Sequence, residues 1–342
     1  MKAMLLKEHS DVAINSIPLV LSEIDASAAG DGDVLLKVVA CGVCHTELDE
    51  IEGRAAPPVL PVIPGHQVVG QVVQIGSGVS GLALGTRVGV GWIFSACGHC
   101  EFCLSGHENL CTEFKATGKD ANGGYAQFMV VPAAFCHPIP ESIPDLEAAP
   151  LLCAGAIGYR SLNLTNLQDG GRLGLAGFGA SAHLVIKMVL ALNPSTKVFV
   201  FSRSTEERQF ALHLGADWAG DFDEKPPMLM DAIIDTTPAW KPVIRSLEAL
   251  KPAGRLVINA IRKEAFDQNW LASMDYPTHL WQEKEIKSVA NVTRNDISEF
   301  LNLAAQAGIH PEVQVYALDQ ANQALVELKS RKIKGAKVLQ VS

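Results

Sequence analysis

The chain has 342 residues, room for about two domains of ordinary size, which excludes a small disulfide-stapled scaffold. It carries 28 Lys and Arg against 37 Asp and Glu, a net charge of −9, so no nucleic-acid partner is expected. With 48% apolar and 19% charged residues, it has the composition of a folded, soluble protein and not of a disordered chain.

In chain order, the opening segment Met1 to Ile14 has no apolar stretch of signal-peptide length, which points to a cytoplasmic protein. Short apolar runs at Val34 to Ala40, Val68 to Ile75, Thr86 to Val90 and Phe128 to Val131, set among many Gly and Pro, predict a loop-rich β region. Near Asp145 the texture changes to Ala and Leu at helical spacing. Short apolar strands follow at Arg172 to Ala176, Lys197 to Phe201, Asp231 to Asp235, Gly254 to Ala260 and Ile286 to Val289. Helix-length stretches separate them, a pattern that predicts parallel strands with crossover helices. From Asn295 the tail reads helix, strand, helix and a closing strand at Lys337 to Val341. Leu173 to Leu192 is mostly apolar, but Gly174, Gly177, Gly179, His183 and Lys187 make it a strand, turn and helix, and no membrane partner is expected.

In a reducing compartment eight cysteines argue for metal or catalysis and against disulfides. Cys97, Cys100, Cys103 and Cys111 form C-x2-C-x2-C-x7-C, a spacing that lets four thiolates turn inward around one ion. A structural zinc is the reading; an iron–sulfur cluster is the alternative, and no Pro follows the last Cys. Cys44, His66 and Cys153 are separated widely enough that spacing alone leaves them as buried thiols and a hydrogen-bonded histidine.

Gly177, Gly179 and Ala182 match G-x-G-x-x-A between a strand and a helix. The first glycine permits a tight turn, the second lets backbone approach a pyrophosphate, and the small third residue lets helix pack on strand. Ala180 and Ser181 then open a helix whose free N–H groups face the phosphates. At the end of the next strand, where an NAD site carries Asp or Glu, stand Ser202, Arg203 and Ser204. That corner favours NADP(H) over NAD(H), since Arg203 and two hydroxyls suit a 2′-phosphate. The alternative is a solvated Arg beside a helix-capping Ser.

The segments A-C-G-V-C-H-T at 40–46, L-P-V-I-P-G-H at 60–66, G-T-R-V-G-V at 85–90, S-A-C-G-H-C-E-F-C at 95–103, G-G-Y-A at 123–126 and E-A-A-P-L-L-C-A-G at 147–155 resemble those of zinc-dependent alcohol dehydrogenases of the medium-chain dehydrogenase/reductase superfamily, in matching order along the chain. The resemblance implies a GroES-like β-rich catalytic domain, residues 1–153 completed by 292–342, and a doubly wound Rossmann coenzyme domain, residues 154–291, with the active site in the cleft between them. It implies a catalytic zinc on Cys44, His66 and Cys153, hence two zinc ions per chain. It further implies a proton relay through the Thr46 hydroxyl, support of His66 by Glu47, and coenzyme contacts from His45 and Lys337. Gln67 stands where the family usually has Glu, Glu47 where it has Asp, and Asp49 replaces a relay histidine, leaving the proton exit open. Trp92 is kept as a pocket aromatic, while Arg54, Ala55 and Ala56 stand where several relatives carry Trp. The expected activity is hydride transfer between NADP(H) and a small alcohol, aldehyde or ketone, in a dimer or tetramer. Reduction of activated alkenes, or nucleotide binding without turnover, are the alternatives.

Overall fold

The computed structural model describes residues 1–330 and 335–342, and divides into two compact units, Met1–Ala156 with Asn291–Ser342, and Ile157–Ala290.

The first unit begins with an antiparallel ribbon of β1 (Lys2–Leu6) and β2 (Leu19–Glu23). In β3 (Asp33–Val43) Val34, Leu36, Val38 and Ala40 alternate inward and are all fully buried, the period-two pattern of a strand with one face on a core. After it come helix α1 (His45–Ile51) and strands β4 (Val68–Ile75), β5 (Arg87–Val90) and β6 (Ile93–Ser95). A lobe follows with helix α2 (Glu101–Leu104) and β7 (Lys115–Ala116), the latter paired with β6. The chain continues through β8 (Phe128–Pro132), β9 (His137–Pro138) and α3 (Asp145–Pro150). Pro150 lacks an N–H and closes the regular helix; the next turn, Leu151–Gly155, widens to π geometry before α4 (Ala156–Thr165).

In the second unit β10 (Arg172–Ala176), α5 (Ala180–Leu192), β11 (Lys197–Phe201), α6 (Thr205–His213), β12 (Trp218–Gly220), β13 (Met230–Asp235), α7 (Lys241–Ala249) and β14 (Leu250–Ile258) alternate. A short α8 (Tyr276–His279) precedes β15 (Glu285–Ser288). Every strand pair is parallel, in the order β12-β11-β10-β13-β14-β15. Leu173, Leu175, Val198, Val200, Ile233 and Ile234 are wholly buried, as expected of strands covered by helices on both faces. The order reverses between β10 and β13, and such a switch point leaves a crevice at the carboxyl ends of the strands.

The chain then returns to the first unit through α9 (Arg294–Ala307), β16 (Val313–Ala317), α10 (Ala321–Lys329) and β17 (Ala336–Gln340). There the sheet runs β16-β17-β3-β4-β5-β9, with β8 also paired to β3. Each strand expected in the parallel region is present. The expected Gly254 to Ala260 is found as Leu250–Ile258, a strand that runs through Pro252 and the left-handed Ala253 (φ +60°) with a register irregularity against β13. No helix among the described residues is long and apolar enough to cross a membrane.

Candidate metal centres and coenzyme loop

Three segments of the first unit bring Cys44, His66 and Cys153 together. Cys44 ends the extended run from β3 and is the N-cap of α1, its Sγ accepting the Thr46 N–H at 3.4 Å. His66 follows Gly65, whose φ of +99° suits only glycine; a Cβ there would lie 2.3 Å from the Tyr125 ring. Cys153 lies in the π turn. The Nε2 of His66 is 3.6 Å from Cys44 Sγ and 3.3 Å from Cys153 Sγ. Zn–S and Zn–N bonds of about 2.3 and 2.05 Å at a tetrahedral angle set such atoms ~3.6 Å apart, so the donors fit a zinc ion.

Glu47 fixes the ring. One carboxylate oxygen lies 2.6 Å from His66 Nδ1 and the other accepts the Cys44 N–H at 2.8 Å, closing a capping box. Nδ1 is thereby committed to the carboxylate and Nε2 faces the thiols, the tautomer that a metal requires. The longer Glu47 reaches His66 directly, so the extra methylene is accommodated. Burial opposes charge on His66, but the Glu47 carboxylate outweighs it and holds the imidazole well above its usual value. The hydrogen bond with Cys153, together with burial, drives the Cys44 thiol well up. A Cys44 thiolate is thus disfavoured until a cation lies beside it.

In the lobe Cys97, Cys100, Cys103 and Cys111 converge with all four Sγ atoms within 4.8 Å of one another. Cys97 and Cys103 Sγ are 3.8 Å apart, the ~3.8 Å edge of a tetrahedron with 2.3 Å bonds. Backbone N–H groups point at the sulfurs, from Cys100 to Cys97 and from Cys97 and Glu113 to Cys111, each at 3.4 Å. Backbone N–H groups of His99 and Cys100 bring the Cys97 thiol down to about 6, while burial pushes Cys103 up to about 12. Four ligands close this centre; three leave the Cys44 centre open to a fourth.

In the second unit Gly177 turns with φ +82°, and a Cβ on it would lie 2.9 Å from both Thr236 and Thr237, at the end of β13. Beside Gly179, the N-cap of α5, a Cβ would meet nothing within 4 Å, so the backbone is open to close approach there. Ala180 and Ser181 form the first turn of α5, and Ala182 is buried.

Four sequence-predicted positions look different in the structure. Ser202 is buried and donates to Glu207; Ser204 caps α6, accepting the Glu207 N–H at 3.2 Å and donating to Glu206 at 2.8 Å. Of that corner Arg203 is the exposed member. Asp49 is held by Arg54 at 2.6 Å. Lys337 is neither solvated nor open to a phosphate: β17 lies between β16 and β3, which buries the ammonium against Glu327 (2.8 Å), Tyr316 (2.6 Å) and Gln314 (3.1 Å). That network does not support the coenzyme contact implied for it. His45 is exposed at the start of α1, and Gln67 is buried against Gly42. Glu50 went unnoticed in the sequence, although it stands one helical turn after Thr46.

Residues 30–141 match the alcohol dehydrogenase GroES-like domain. The chain is 44% identical to a probable alcohol dehydrogenase AdhA of Mycobacterium tuberculosis over 312 residues, covering 90% of this chain and 88% of that one. It is 31% identical to an alcohol dehydrogenase of Geobacillus stearothermophilus over 94% of this chain and 96% of that protein. Among solved structures it resembles a cinnamyl alcohol dehydrogenase of Sorghum bicolor, with TM-score 0.86 and 29% identity over 99% of this chain and 97% of that one. The chain belongs to the zinc-type medium-chain alcohol dehydrogenase family, with its GroES-like domain and Rossmann-like parallel sheet. These relatives support an oxidoreductase with alcohol dehydrogenase activity toward small molecules.

Proposed function

We propose that the chain is a zinc-dependent, NADP(H)-linked alcohol dehydrogenase or aldehyde reductase, with a catalytic zinc on Cys44, His66 and Cys153 and a structural zinc on Cys97, Cys100, Cys103 and Cys111. The observation that carries this reading is the convergence of two thiols and one imidazole nitrogen, the other ring nitrogen being taken by Glu47. A zinc ion held there supplies Lewis acidity to a substrate oxygen and offsets the thiolate charges. Thr46 holds and passes the proton of that oxygen. Its backbone N–H is committed to Cys44 Sγ, and the residue is 8% exposed, so its hydroxyl acts away from bulk water. The open backbone at Gly179 and the first turn of α5 cradle the pyrophosphate. Residues 1–153 with 292–342 serve as catalytic domain and 154–291 as coenzyme domain. The eight free cysteines suit a reducing, cytoplasmic setting, and the working form is a dimer or tetramer.

Incubation with NADPH or NADH and a panel of aldehydes, ketones and activated alkenes tests this reading. Turnover of carbonyls supports it; turnover of alkenes alone, or binding without turnover, overturns it. Thr46→Val is expected to keep coenzyme affinity but to cut alcohol oxidation by about 100-fold, the scale of losing a positioned proton-transfer group. Equal rates for both proteins at neutral pH would remove the hydroxyl from the relay.

With both Ser hydroxyls committed to glutamates, the 2′-phosphate contact falls to Arg203. A charge-assisted hydrogen bond contributes roughly 1.5–3 kcal/mol, a preference for NADP(H) on the order of tenfold to a hundredfold. Arg203→Ala should erode that preference by weakening NADP(H) alone. Equal weakening of both coenzymes, measured by quenching of protein fluorescence, would show that Arg203 does not read the phosphate.

A further inference from the structure

Glu50 is 1% exposed, its Oε2 has no hydrogen-bond partner among the described residues, and its Oε1 meets only a long 3.5 Å donation from Trp92 Nε1. A buried carboxyl with one oxygen unmatched is costly unless it is neutral or has work to do. It lies four residues after Thr46 and three after Glu47 on α1, so it shares a helix face with the first and neighbours the second. Trp92 in turn packs on Phe114 with ring centroids 5.4 Å apart. The other acid of this turn, Asp49, is held in its ion pair with Arg54, which also binds Glu52.

We propose that Glu50 is the proton store of the redox step, exchanging a proton with substrate oxygen through the Thr46 hydroxyl in the place left by the missing relay histidine. The role rests on the alcohol–carbonyl reading above. In the reducing direction the carbonyl carbon receives hydride from NADPH and the oxygen receives the Thr46 proton. Thr46 takes the Glu50 proton, and the Glu50 carboxylate recovers one from water. In oxidation each proton moves the opposite way. The groups that bear on the carboxyl are Glu47 on the same helix, His66 before β4, Lys119 after β7 and Tyr125 before β8. Burial, reinforced by Glu47 and opposed by His66, Trp92 and Lys119, raises Glu50 to about 8. The carboxyl is thereby drawn toward its neutral form, the form that gives a proton in carbonyl reduction. As pH rises through that value, reduction should slow and alcohol oxidation should quicken.

Two measurements on Glu50→Gln test this. Infrared difference spectra of the protein alone, wild type minus variant at neutral pH, should show the C=O stretch of a neutral carboxylic acid, converting to carboxylate as pH is raised past about 8. The variant should also reduce carbonyls about 100-fold more slowly, with coenzyme KM and zinc content unchanged and without the alkaline fall of the wild type. Glu50→Asp, which keeps the acid, should recover part of the rate and of the pH dependence. Absence of the carboxylic band, or a Glu50→Gln enzyme with the wild-type rate and alkaline limb, overturns the role of Glu50 alone. A wild type inert toward carbonyls with both coenzymes overturns the redox reading and this role together.

Discussion

Cys153→Ser is expected to abolish turnover while leaving the fold nearly intact. Cys153 sits on the π turn with its side chain partly exposed, and serine is nearly its size, so little packing is lost. Its hydroxyl stays protonated at neutral pH and is a poor ligand for zinc, so the centre keeps only Cys44 and His66. Losing several kcal/mol of charge stabilisation at the reacting oxygen amounts to a fall of about 1000-fold or more in kcat. Circular dichroism and thermal melting should stay close to wild type. A Cys153→Ser protein with wild-type turnover would separate this cysteine from the chemistry.

Cys97→Ala should do the reverse, weakening the fold before the chemistry. The lobe between β6 and β7 has little hydrophobic substance of its own: Leu104 is 75% exposed and α2 buries no residue. What holds it is the four-sulfur centre and the Glu108 carboxylate, which reaches α9 through the Arg294 backbone at 2.7 Å and its guanidinium at 3.1 Å. Structural zinc binding is worth about 10–16 kcal/mol in isolated peptides, and at roughly 2–4 °C per kcal/mol the loss of about 4 kcal/mol lowers the melting midpoint by roughly 10 °C. An unchanged midpoint, read by scanning calorimetry, would show that the lobe does not depend on its metal.

Elements with a strong internal period were legible in the sequence. The parallel strands announced themselves because both faces are covered, leaving near-continuous apolar runs such as Leu173 to Ala176 and Val198 to Phe201. The segment Gln268–Ser273 and helix α8 were not legible, since four to six residues cannot display a helical period. The four-cysteine lobe could be read from spacing because its ligands are close in sequence. The Cys44 centre could not: its donors come from three segments that only the fold assembles, and the resemblance alone suggested them. The burial of Lys337 was not legible: the resemblance implied a coenzyme contact, and nothing local shows that a strand on each side will bury the residue. The corner after β11 hid Glu206 and Glu207, which lie beyond the strand end but whose side chains fold back onto Ser202 and Ser204.

The central claim is that two metal centres with separate tasks reside in this chain, and metal analysis joined to activity tests it most directly. Purified wild type should carry about two zinc ions per chain, and Cys153→Ser about one, folded and without turnover. Fully active wild type with one zinc or none, or a Cys153→Ser protein that keeps both zinc ions and its activity, would contradict the account.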